Sequence, residues 1–174
     1  DGYGAFGNAE GTCVALLAAV DHTVIDVDNN SLVDVTVAEN MSLTSTSGDI
    51  NVAARHSNEA YGAGSTGGFG GFARVADITA DIKATGTTNV SFLGDVGDGT
   101  AAAASDINFD AAALSAATST MSSGGGSIFG DFAEGQANAT TNHTINATFG
   151  GSGSTMNVAN NINGKAFLLA DADA

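Results

Sequence analysis

A chain of 174 residues has room for one domain, or for one domain built from small repeated units. Its residues are 43% hydrophobic but only 6% aromatic, so any core is lined with small side chains. Nineteen acidic residues against four basic ones give a formal charge of −15, which excludes nucleic acid and anionic membranes as electrostatic partners.

The chain opens at Asp1 without an initiator Met, as a mature exported chain does, and a secreted or cell-surface location is expected. The stretch from Asp1 to Ala9 is small, glycine-rich and extended. Residues 1–12 are therefore expected to form a separate N-terminal segment, a candidate donor strand for a neighbouring subunit. Tyr3, Ala5 and Phe6 are the side chains that would fill the neighbour's pockets. Residues 13–174 are expected to form a single β domain. Cys13, the only cysteine, lies in the apolar run Cys13 to Val20, where a buried inert thiol is expected. That run is the longest of its kind and far too short to span a membrane.

Asp26, Asp28, Asn30 and Asp34 offer oxygen side chains at alternate positions, the donor type that hard cations prefer, and make a candidate calcium site. They lack the central glycine and closing Glu of an EF-hand, and an Asx-rich turn accounts for them as well. No other cofactor is expected. Asn-x-Ser/Thr triplets place candidate glycosylation sites at Asn29, Asn40, Asn89, Asn138, Asn142 and Asn146. The last three are spaced by four and would share the polar face of a strand.

Two segments alternate clearly between apolar and polar residues. From Phe72 to Ala84 the even positions are apolar except Arg74, and from Ala137 to Phe149 the odd positions are apolar except Thr141 and His143. A hydrogen-bonded core histidine is expected at His143. Residues 106–121 read partly helical, with Ser105 or Asp106 as N-cap and an alanine-rich body. The fold class predicted is all-β: an antiparallel β-sandwich, jelly-roll-like, with Gly-rich loops and one short helix near 106–121. A β-solenoid is the alternative.

Weak repeats recur at about sixty residues. Phe6-Gly7, Phe69-Gly70 and Phe129-Gly130 form one series. Asp49-Ile50-Asn51, Asp106-Ile107-Asn108 and Asn161-Ile162-Asn163 form a second. A third match aligns Ile82 to Val90 with Ile145 to Val158.

Motifs for catalysis are missing. The histidines His22, His56 and His143 lack metal-ligand spacing, no nucleophile elbow is present, and the glycine-rich stretches carry no P-loop lysine. No catalytic residue is assigned, and an enzyme is not expected.

Strands rich in Ala, Gly, Thr and Asn, few basic residues and a loose N-terminal segment resemble, at class level, secreted pilin-like and matrix-fibre subunits of bacteria and archaea. The chain departs from donor-strand pilins in having one cysteine rather than two. Met41 to Ala54 separately resembles a rung of haemagglutinin-type β-helix adhesins. The resemblance implies a structural subunit of an extracellular filament, pilus or surface matrix, with copies of itself as partners added by β-strand addition. A calcium-dependent adhesin or carbohydrate-binding β module is the alternative.

Overall fold

The computed structural model describes residues 3–97 and 103–174. The described residues are 79% strand with no helix, and every strand pairing among them is parallel. The first circuit of the chain contains β1 (Tyr3–Ala15), β2 (Ala18–Val37) and β3 (Ser42–Leu43). The second contains β4 (Ile50–Gly70), β5 (Ala73–Phe92) and β6 (Asp95–Val96). A third contains β7 (Ile107–Ser127) and β8 (Gly130–Phe149), and β9 (Ile162–Asp173) begins a fourth.

Three sheets result, ordered β1-β4-β7-β9, β2-β5-β8 and β3-β6, the last joined by a bridge from Val96 to Met156. Consecutive long strands lie in different sheets, so no hairpin forms among the described residues. Each strand instead lies on its counterpart one circuit away: Asn51 and Asn108 are 57 positions apart, Asn108 and Asn163 are 55 apart. The connecting segments superpose too, Ser45 N donating to Ala103 O and Ala103 N to Asn157 O.

The antiparallel jelly roll is thus overturned by the pairing direction. Alternation shows that one face of a strand is wet, but it is the same for parallel and antiparallel partners. The short-rung solenoid read from Met41 to Ala54 does not describe this chain either, because that stretch supplies only β3 and the start of β4. The helix expected over 106–121 is also absent. Residues 107–121 lie in β7, where Ile107, Phe109, Ala111, Ala113, Ser115, Ala117 and Ser119 alternate inward and are buried. Burial between two sheets overrides the helical propensity of alanine there.

Inward side chains of the first two sheets form the interior. One apolar cluster holds Val52, Val90, Phe92, Ile107 and Phe109, with Phe92 and Phe109 rings 5.3 Å apart. A second holds Ile25, Val27, Ile82, Ala80, Ala84 and Ala117. Small residues let the sheets approach: a Cβ added at Gly62 would fall 2.0 Å from Ile82 Cδ1. Near the turns joining the two sheets the chain needs glycine for backbone reasons. Gly68 has φ of 152° and Gly125 has φ of 130°, and a Cβ on Gly68 would lie 1.9 Å from the Cys13 carbonyl oxygen.

Within β5 the alternation read from Phe72 to Ala84 puts Ala76, Ile78, Ala80, Ile82 and Ala84 in the interior, whereas Phe72 lies before the strand and is exposed. Arg74, the exception in the pattern, is buried with them at 1% exposure. Its guanidinium donates to Asp131 Oδ1 at 3.1 Å, Thr66 Oγ1 at 3.3 Å and Ser123 Oγ at 3.4 Å. Thr66 in turn donates to Asp21.

Candidate functional site: interior histidines and open strand edges

Between the two apolar clusters lies a polar layer. Ser31 on β2 and His56 on β4 face each other across the sheets, with Oγ and Nε2 hydrogen-bonded at 2.7 Å. His56 stacks on His143 of β8 with ring centroids 5.6 Å apart, and His143 Nε2 is hydrogen-bonded to Thr88 Oγ1 at 2.9 Å. His143 is therefore the hydrogen-bonded core histidine expected from its place in the strand pattern. Burial pushes both imidazoles below the usual histidine pKa, and for His143 the neighbouring His56 charge adds to it. His143 Nδ1 is buried without a hydrogen-bond partner among the described residues.

The sequence gives no spacing signal for this convergence, since the circuits bring the residues together. The 55-position offset between Thr88 and His143 is the trace it leaves. A Ser–His contact is the beginning of a nucleophile-activating pair, but no carboxylate bonds His56 among the described residues. As it stands, the layer satisfies inward polar groups. Asn58 joins it, donating to Thr85 O at 2.6 Å, and Ser115 donates to Ala84 O at 3.2 Å.

The candidate calcium residues all lie on β2. Asp26, Asp28, Asn30 and Asp34 are all exposed and share the outward parity of the strand, so they lie in a row along the outer face. Alternate strand residues sit about 6.6–7 Å apart on that face, and Leu32 separates Asp34 from the other three. Among the described residues no three His, Cys, Asp or Glu side chains are grouped to hold a metal. The cation beside this row is Lys83, whose Nζ lies 2.6 Å from Asp81 Oδ2. That hydrogen bond and the Asp81 charge raise the Lys83 pKa, and the charges of Asp26 and Asp28 add to the rise.

Three of the glycosylation candidates, Asn138, Asn142 and Asn146, line the exposed outer face of β8 as expected. Asn40 is exposed in the turn after β2. Asn89 accepts from Asn146 Nδ2 at 2.9 Å, one rung of a side-chain ladder. Asn29 has the inward parity of Ile25 and Val27, and its amide donates to Glu59 O at 2.8 Å. A glycan on Asn29 would have to displace that packing.

From Tyr3 onward the expected donor segment is part of β1 and pairs with its own chain, Tyr3 opposite Asn58, Ala5 opposite Ala60 and Phe6 opposite Tyr61, while Asp1 and Gly2 lie outside the described residues. Phe6 stacks on Tyr61 at 5.1 Å while remaining 70% exposed, and Ala5 packs against the second apolar cluster. Cys13 is a free, half-buried thiol on the same strand.

Among the described residues both long sheets end in strands that have one pairing side unused. β1 and β9 bound the first sheet, and β2 and β8 bound the second. Exposed apolar side chains cluster on these strands and the turns beside them, including Phe6, Leu16, Leu32, Phe132, Phe167 and Leu169. Comparison of the chain with protein-family models, with curated proteins and with solved structures finds no match to any of them.

Proposed function

We propose that this chain is a non-catalytic structural subunit of an extracellular filament or surface matrix, built from copies of itself by β-strand addition. The observation that carries this reading is the pair of long open edges at each end of a parallel stack. Soluble β proteins ordinarily shield such edges with bulges, prolines, short strands or a covering helix. Here β2 and β8 are each 20 residues long, the chain contains no proline, and no helix covers them among the described residues. Repeat stacks that stay monomeric need terminal units with a polar outer face. β9 instead presents Phe167, Leu168 and Leu169 at 51%, 42% and 54% exposure.

Secretion fits the acidic composition, which keeps assembled copies solvated. The three exposed asparagines on β8 are the positions best placed for a glycan, and because they point outward they leave the pairing edge itself free. Electron microscopy of the purified chain tests the reading. Regular filaments are expected, and a monodisperse particle at every concentration refutes it.

A further inference from the structure

The open edges differ in chemistry, and the difference specifies how copies would meet. Resting on the strand-addition reading above, we infer that the partner of β8 is β2 of a second copy, joined parallel and in the register the chain already uses internally. Within one chain Ala18, Ala73 and Gly130 share a column, as do Val37, Phe92 and Phe149. Continuing those columns by one strand places Ala18 of the next copy on Gly130 and Val37 of the next copy on Phe149.

This register matches side chains on both faces. On the outer face, Asn138 and Thr140 meet Asp26 and Asp28 of the next copy, so the acidic row faces neutral donors. Glu134 meets His22 of the next copy, and His22 already pairs with Asp77 at 2.9 Å within its own chain. On the inner face, Ala137, Ala139 and Ile145 meet Ile25, Val27 and Val33. The polar layer also continues, because His143 meets Ser31 of the next copy. His143 is 8% exposed, and its buried Nδ1 has no hydrogen-bond partner among the described residues of its own chain. A β2-to-β2 contact would instead set one acidic row against another.

The first sheet fits the same arrangement. β9 covers the β7 positions Ile107 to Thr118. β1 covers the β4 positions Asn58 to Gly70, which pair with Ser115 to Ser127 of β7. On the exposed edge of β7, β9 and the next copy's β1 would together span the whole strand. They overlap only where Ala170 to Asp173 and Tyr3 to Phe6 claim the same positions, so one of these ends must lift away at the junction. The union is head to tail, and both sheets cross it.

Disulfide trapping tests polarity and register in a Cys13→Ala background. Asn30 and Asn142 occupy one outer column, separated within a chain by β5. Two strand spacings, about 9.6 Å, are too far for an internal disulfide, whereas one spacing suffices. Mild oxidation of assembled N30C/N142C protein should give a covalent ladder running beyond the dimer. The off-register pair D26C/N142C and each single variant should lose that ladder. Filaments that cross-link instead as single-variant dimers, or only through the off-register pair, overturn the β8-to-β2 register while leaving strand addition intact. Absence of any filament overturns the underlying reading itself. Amide hydrogen exchange on the unaltered chain provides the second measurement: assembly should protect edge amides on both β2 and β8, and protection of only one of them refutes the head-to-tail union.

Discussion

The buried Arg74 permits a quantitative test of how the interior is held. Its side chain is 2% exposed, whereas that of its partner Asp131 is 37% exposed. Replacing Asp131 with Asn leaves a guanidinium in the interior with only the Thr66 and Ser123 hydroxyls and a neutral amide to solvate it. Removing one partner from a fully buried pair costs about 3–5 kcal/mol. The exposed carboxylate side already shares its charge with water, which reduces the expected loss to about 2–3 kcal/mol.

Replacing Arg74 with Met has a different consequence. The chain volume is nearly kept, the charge that was costly to desolvate is gone, and Asp131 can turn to solvent. That exchange should cost about 0–2 kcal/mol. Urea unfolding midpoints at unchanged m-value give both numbers, and the double variant gives their coupling. The decisive comparison is the order of the two losses. If Arg74→Met proves more destabilising than Asp131→Asn, the guanidinium is acting chiefly through packing and the electrostatic account is wrong.

Two further outcomes follow from the interior. His56 and His143 have folded-state pKa values below the ordinary 6.5, so the unfolded chain binds more protons as the solution acidifies. Stability should therefore hold above pH 6.5 and fall as the pH drops below it, and His143→Gln should flatten the profile of urea midpoints between pH 7.5 and 5; an unchanged slope would remove the histidine layer as its source. Gly68→Ala should cost about 2 kcal/mol or more, from a strained backbone and a Cβ directed at the Cys13 carbonyl, whereas Gly124→Ala meets nothing within 4 Å and should be nearly silent in the same assay.

Much of the strand content was legible in the sequence, and the direction of pairing was not. The period-two pattern from Phe72 to Ala84 identified the buried face of β5, and that from Ala137 to Phe149 identified the inward face of β8. Parallel sheets usually have both faces covered and read as continuous apolar runs. These have one wet face, so their sequence looks like that of antiparallel strands. The information about direction was in the repeats, where only one series was in true register. Ile50, Ile107 and Ile162 stack in one column beside the hydrogen-bonded Asn51, Asn108 and Asn163. The Phe-Gly series misled, since Phe6 lies opposite Tyr61 and Phe69 opposite Gly126, while Phe72 stacks on Phe129 at 5.2 Å. Likewise Asn89 pairs with Asn146 and not with Asn157. Small, repetitive composition generates such false alignments, and the polar columns discriminate between them because a mismatched Asn or His loses a hydrogen bond.

The same columns bear on why a parallel stack suits an open-ended assembly. In an antiparallel sandwich an exposed edge can meet its own copy about a two-fold axis, and the contact then closes as a dimer. A parallel stack has unlike ends: here an acidic row on β2 at one end and an amide and hydroxyl row on β8 at the other. A contact between unlike ends leaves each pair with the same two unlike ends still free, so addition continues without closure unless the rotation returns to its start. The register that lets one circuit template the next within the chain would then let one copy template another. Assembly of that kind would require no polymerisation device beyond the interactions that fold the chain.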